Sequence, residues 1–278
     1  MDLLRAILYG IIEGITEWLP VSSTGHMILA EQVLKFEQDK AFMEMFRVVI
    51  QLGAIGAVLV LFWNKLWPFG RDRKTGRVGL ARRPFMLWLH ILVASIPAAV
   101  LGLLLDDWMD THLYNHIVVA LMLILYGIAF LRIENNRPAV RVERVWDIDY
   151  RQALIIGCFQ VLALVPGTSR SGATIVGGML LGISRAAVAE FTFYLAIPVM
   201  AGASLLKVVK FIASGAAVGG LGLAVLLVGC VVAFLVSLLA IRFLMNYVKK
   251  NSFKVFGWYR IVLGAVVLLV GLLGLLAK

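Results

Sequence analysis

Residues 211–241 contain no charged side chain, and neither do residues 85–105 or 261–277. Runs near or above ~20 apolar residues match the ~30 Å hydrocarbon core of a bilayer, where a helix satisfies all its backbone polar groups by itself. The expectation is therefore an all-α polytopic membrane protein. Composition agrees at the decisive point: 62% of the 278 residues are hydrophobic and 15% charged, too few charges to coat a soluble domain. The N-terminus passes from Met1-Asp2 straight into apolar sequence without a small-residue cleavage pattern, so no cleaved leader is expected.

The formal charge of +10 does not point to nucleic acid, because the basic residues cluster in short segments between apolar runs. Residues 64–84 carry Lys65, Arg71, Arg73, Lys74, Arg77, Arg82 and Arg83 against Asp72 alone, and residues 132–152 carry arginines throughout. Residues 106–116 carry aspartates and no Lys or Arg. Basic loops stay in the cytoplasm, so the crossings expected at 48–63, 85–105, 117–131, 191–206, 211–241 and 261–277 leave both termini outside. Arg242, Lys249, Lys250, Lys254 and Arg260 read as one basic cytoplasmic stretch, and Lys207 and Lys210 are an exception on the outer side. Residues 31–47, of mixed charge, should lie at an interface. Cys158 and Cys230 read as small packing residues, His90 as a hydrogen-bonded packing residue, and His112 and His116 as loop residues. The pairs Gly177-Gly178 and Gly219-Gly220 read as close helix contacts.

Two segments fit neither loop nor crossing. Residues 3–20 are helix-compatible but too short and too polar at their end, and Pro20 stops them before Ser22-Ser23-Thr24-Gly25. Residues 153–165 and 173–183 are likewise short and flank Pro166–Gly172. Broken helical hairpins of this kind are tolerated at membrane depth where protein buries them. The two correspond: Glu13 with Gln160, Pro20 with Pro166, Ser22-Ser23 with Thr168-Ser169, and Phe46 and Ile50 with Phe193 and Ile197, at a spacing of 146 or 147. The chain then reads as one domain over 1–278, built of two repeats, about 1–135 and 150–278. Each repeat is a re-entrant hairpin plus three transmembrane helices. An odd number of crossings inverts the second copy, so the hairpins enter from opposite faces and can meet near the midplane.

The hairpins concentrate the chemistry. Glu13 and Glu17, four apart, share a helix face and suit a divalent cation or the orientation of an imidazole, although the spacing alone fits solvated acids at an interfacial helix end equally well. Ser22, Ser23 and Thr24 place hydroxyls beside His26, a base able to activate one of them, although the same residues also suit helix capping. In Gly167, Thr168, Ser169, Arg170, Ser171 and Gly172, backbone N–H groups at a helix start and one guanidinium form a cradle for phosphate. A capped turn with a snorkelling arginine would account for the same residues.

The motifs Glu13-Gly-x-Thr-Glu17-x-Leu-Pro20-Val-Ser-Ser23-Thr-Gly-His26, Phe46-x-Val-Val-Ile-Gln51-Leu-Gly53 and Pro166-Gly-x-Ser-Arg170-Ser-Gly172 resemble the bacterial undecaprenyl-diphosphate phosphatases of the bacitracin-resistance family. The resemblance covers essentially the whole chain, including Tyr150-Arg-Gln-Ala and Gly182-x-Ser-Arg185; residues 64–84 are the stretch without a confident match. It implies an inner-membrane hydrolase that removes the terminal phosphate of undecaprenyl diphosphate and returns the carrier to cell-wall synthesis. It also implies dependence on a divalent cation, Mg²⁺ or Ca²⁺ held by Glu13 and Glu17, and a site open to the periplasm. On this reading Ser23 is the nucleophile, His26 the base and Arg170 the phosphate clamp, while Ser22, Thr24, Gly167, Thr168, Ser169, Ser171 and Gly172 bind substrate. His26 as the covalent nucleophile is the rival route. The partners expected are a polyprenyl diphosphate lipid and the bilayer, not nucleic acid, with homo-oligomerisation left open. A second function class is an inverted-repeat transporter or flippase for a lipid phosphate or other anion.

Overall fold

A computed structural model describes residues 1–34, 40–71 and 78–276. The chain opens with α1 (Asp2–Thr16), breaks, and resumes as α2 (Ser23–Val33). After α3 (Lys40–Leu61) and the short α4 (Trp63–Leu66), strands β1 (Phe69–Arg71) and β2 (Val78–Leu80) pair antiparallel with Phe69 opposite Leu80. Helices α5 (Arg82–His112) and α6 (His116–Asn135) follow. A second broken pair, α7 (Tyr150–Val161) and α8 (Arg170–Leu180), precedes α9 (Arg185–Ala213), α10 (Gly220–Val248) and α11 (Lys254–Leu272).

Several helix starts are set by capping side chains. Asn115 accepts from the Val118 N–H to begin α6, Ser184 accepts from Ala187 to begin α9, and Asp149 and Gln152 form a reciprocal capping box on α7. Among the described residues six helices, α3, α5, α6, α9, α10 and α11, are long and apolar enough to cross a membrane. Their outer faces are apolar: Leu227, Val231, Leu235 and Leu239 of α10 are all exposed, at helical spacing. Such a stripe would aggregate in water, and lipid is the solvent it suits. The protein is an all-α polytopic membrane protein.

The crossings frame the two hairpins. Helix α1 packs along α10 and α7 along α5, while α3 packs on α9 and α6 on α11. The tip of the first hairpin is anchored by Trp18, fully buried and edge-on to Phe193 at 5.3 Å. Close approach depends on missing side chains. A Cβ on Gly53 of α3 would stand 2.1 Å from the Cys230 carbonyl oxygen of α10, a rigid backbone atom. Gly53→Ala is therefore expected to drive α3 and α10 apart at a cost of about 1–3 kcal/mol or more, read as a lowered Tm and folded yield in detergent.

Several expectations need correction. The apolar run 211–241 is not one crossing: Phe211 to Ala213 end α9, and α10 begins at Gly220. Apolarity shows no break there, because the interruption is made by Ser214, Gly215 and the following small residues. The 106–116 segment is not a loop in the main, since α5 runs through His112; His116 opens α6. The crossing expected at 48–63 begins earlier, at Lys40 or Ala41, inside the stretch assigned to an interface. Gly177 and Gly178 do pack closely, against Phe159 and Val188, but Gly219 and Gly220 have nothing within 4 Å and lie at the start of α10. Cys158 is exposed on the outer face of α7, whereas Cys230 is half-buried. His90 is buried edge-on to Tyr150, with ring centroids 4.2 Å apart. Asp72, Arg73, Lys74 and Arg77 of the basic segment, residues 35–39 of the 31–47 segment, and Ala277 lie outside the described residues.

Candidate active site

Both hairpins turn in the same way. Ser22 and Ser169 are the two non-glycine residues with positive φ among the described residues, at 73° and 71°. Each caps the helix that follows: the Ser22 hydroxyl accepts from the Gly25 N–H and the Ser169 hydroxyl from the Gly172 N–H. A left-handed serine costs on the order of 1 kcal/mol or more, so its presence at both tips marks an imposed geometry. Gly167, at φ 92°, completes the second turn, where a Cβ would stand 2.6 Å from the Val119 carbonyl oxygen.

The tips touch through Glu17. Its Oε1 accepts from Arg170 Nη2 at 2.9 Å, and its Oε2 accepts from the Ser23 hydroxyl at 3.1 Å. One carboxylate thus joins the hydroxyl of one hairpin to the guanidinium of the other. Arg170 also donates to the Thr192 carbonyl at 2.6 Å and lies over the Trp18 ring at 5.6 Å. The pair is buried, with side chains 11% and 9% exposed, so each charge depends on the other for compensation. Ser171 adds a second seam, donating to the Glu17 carbonyl at 3.2 Å.

His26 stands apart from this bridge. Its Nδ1 lies 2.7 Å from the Ser22 carbonyl, which can only accept, so Nδ1 carries the proton. In the neutral ring Nε2 then accepts from the Tyr259 hydroxyl at 2.7 Å. The structure therefore pairs Ser23 with Glu17 and not with His26. Of the remaining candidates, Thr24 is half-buried on the first turn of α2. Ser22, Thr168 and Ser171 are buried, at 1%, 0% and 1% exposure; Ser22 and Ser171 bond to the protein itself.

Polar atoms without protein partners remain at both hairpins: Glu13 Oε1, Thr168 Oγ1, Arg170 Nε and both amide atoms of Gln160 are buried and unpaired. Buried groups left this way call for a ligand or ordered water. Glu13 and Glu17 are both buried, at 1% and 8% exposure, four residues apart at the end of α1. No group of three or more His, Cys, Asp or Glu able to hold a metal occurs among the described residues. Two carboxylates with substrate phosphates completing the shell is the donor set Mg²⁺ takes, so the residues present fit a cation that arrives with its substrate.

Two residues escaped the sequence reading, Tyr259 and Arg260. Arg260 is not part of an exposed basic stretch: it is 0% exposed within α11. It donates to the carbonyls of Pro20, Gly167 and Thr168 at 3.2, 2.9 and 2.8 Å. A signal did exist. Gly257 and Gly264 pack on α6, and Arg260 falls between them on the same helical face.

A family model described as bacitracin resistance protein BacA matches residues 6–266. The chain is 54% identical over 269 residues to an undecaprenyl-diphosphatase of Enterococcus faecalis, covering 96% of each chain. It is 56% identical over 274 residues to an undecaprenyl-diphosphatase of Desulfitobacterium hafniense, covering 97% of this chain and 96% of that one. A third undecaprenyl-diphosphatase, from Acetivibrio thermocellus, is 54% identical over 273 residues, covering 97% of each.

Proposed function

The chain belongs to the bacitracin resistance protein BacA family, and from that premise we propose that it hydrolyses undecaprenyl diphosphate at the junction of its two hairpin tips. The observation that carries the reading is Glu17, which bonds Ser23 of one hairpin and Arg170 of the other. A Ser–carboxylate–Arg bridge beside an α8 N-terminus supplies a nucleophile, a proton acceptor and an anion clamp within one site.

In the proposed reaction the Ser23 hydroxyl oxygen attacks the terminal phosphorus while its proton passes to Glu17. The bond from phosphorus to the bridging oxygen breaks, and undecaprenyl phosphate leaves as an anion that needs no proton. Arg170 and the first N–H groups of α8 hold the equatorial oxygens of the transferring group. Water then attacks the phosphoserine, losing its proton to His26 Nε2 once Tyr259 turns away. The proton on Glu17 returns to the Ser23 oxygen, and inorganic phosphate departs. His26 thus acts on water in the second step, in keeping with its hydrogen bonds to Ser22 and Tyr259 and not to Ser23. When bound, Mg²⁺ or Ca²⁺ on Glu13 and Glu17 would neutralise phosphate charge.

The proposal extends to placement. The two halves are read as inverted copies, in a bacterial cytoplasmic membrane, with the site facing the periplasm and both termini outside. Supporting this are the matched Ser22 and Ser169 turns and the exchange by which α1 packs on α10 while α7 packs on α5. The test is phosphate release from undecaprenyl diphosphate by the purified protein in lipid nanodiscs. Release is expected with Mg²⁺ or Ca²⁺, and chelation is expected to lower it by about 100-fold or more, restored on adding the cation back. Absence of release under every metal condition would leave the transporter reading standing.

A further inference from the structure

Arg260 is fully buried, yet no carboxylate among the described residues lies within ion-pair distance of it. Its Nη donors end on backbone instead, while Nε has no partner. Nη1 reaches the Pro20 carbonyl in the first tip, and Nη2 reaches Gly167 and Thr168 in the second, with the Met122 carbonyl of α6 at 3.4 Å. The guanidinium also lies over the Tyr126 ring at 5.5 Å. A buried cation is ordinarily retained for a charge partner. Here one rigid fork is divided among three chain segments, two of which are the turns that carry Ser23 and Arg170.

We propose that Arg260 is a positioning residue for phosphoryl transfer, setting the distance between the two hairpin tips through their backbone carbonyls and touching no substrate. The inference rests on the functional reading above. Its geometry is specific to a planar, multi-donor group. A lysine carries the same charge but cannot hold carbonyls on both sides in a fixed plane. Trans peptide planarity adds a consequence: holding the Thr168 carbonyl turns the Ser169 N–H to the opposite side, so the guanidinium also orients the start of α8. The sequence makes room for this. A Cβ on Gly172 would stand 3.1 Å from Arg260 Nη1 and 3.3 Å from Ser169 Cβ, so the first turn of α8 is glycine where the fork passes. The preceding residue, Tyr259, holds His26, which makes α11 a third support of the site.

Four proteins decide the matter: wild type, Arg260→Lys, Gly172→Ala and the double variant, each in nanodiscs with turnover normalised to monodisperse folded protein. A misplacement of about 1 Å costs roughly 100-fold in rate. Arg260→Lys is therefore expected to lower kcat by about that factor with KM for undecaprenyl diphosphate within about threefold, because Arg170 and α8 still bind the phosphate. Gly172→Ala keeps the Arg260 charge and displaces the fork, so kcat should fall about 10-fold, again with little change in KM. Combined, the two should lose less than the product of their separate effects, since both act on one contact. A kcat for either single variant within twofold of wild type overturns the proposal. So does a rise in KM at unchanged kcat, which would make Arg260 a binding charge. A purely structural role would lower the folded fraction and leave kcat per folded molecule intact. If Arg260→Lys does not fold, Gly172→Ala alone decides between the outcomes. Failure of wild type to release phosphate would instead refute the functional reading.

Discussion

Arg170→Ala is expected to lower phosphate release by about 1,000-fold or more, the scale on which an arginine that stabilises a transferring phosphoryl group acts. Two losses combine. The phosphate cradle loses its guanidinium, and Glu17 keeps a buried carboxylate bonded to Ser23 without its cation. Breaking a buried pair by removing one member costs about 3–5 kcal/mol, so Tm should fall along with kcat. Arg170→Lys separates these effects. The ammonium can keep charge balance with Glu17, but it cannot hold the Thr192 carbonyl and Glu17 together as Nη1 and Nη2 do. Stability should largely return while kcat stays about 10- to 100-fold low. Measuring kcat beside thermal unfolding for both variants checks the prediction.

Ser23→Ala has the second large expected effect, a loss of turnover by about 1,000-fold or more, because removal of a nucleophile is not compensated by its neighbours. The structure discriminates between adjacent serines. Ser22 is 1% exposed and spends its hydroxyl on the Gly25 N–H, whereas Ser23 is half-buried and bonded to Glu17. Cys158→Ala, on the outer face of α7, should leave turnover unchanged. Turnover by Ser23→Ala above about a tenth of wild type would turn the mechanism toward His26.

Much of this architecture was legible because lipid imposes a coarse rule on sequence. The crossings could be counted from uncharged runs, and the hairpins stood out as segments too short and too polar to cross. Their polar residues stood out too, since carboxylates, hydroxyls and an arginine beside uncharged crossings have few bland uses. Detail failed where hydropathy carries no information. Ser214 and Gly215 end α9 inside a run that looked continuous, and α5 continues through the aspartates to His112 because helical backbone is indifferent to where the bilayer ends. The pairing inside the site was less legible still. Proximity in sequence set His26 beside Ser23, yet the turn at Ser22 directs Ser23 to Glu17 and commits His26 to the Ser22 carbonyl and Tyr259. Arg260 was missed because a basic residue near a helix start resembles every other flanking charge. Only the helical face it shares with Gly257 and Gly264 sets it apart.

The central claim is that both tips act as one centre in which Ser23 takes the phosphoryl group. Rapid acid quench of the protein turning over terminally labelled undecaprenyl diphosphate, followed by peptide mapping, tests it directly. The account predicts a phosphoenzyme labelled on Ser23, absent from Ser23→Ala and formed far more slowly in Arg170→Ala. Label on His26, or full labelling without Arg170, would contradict it.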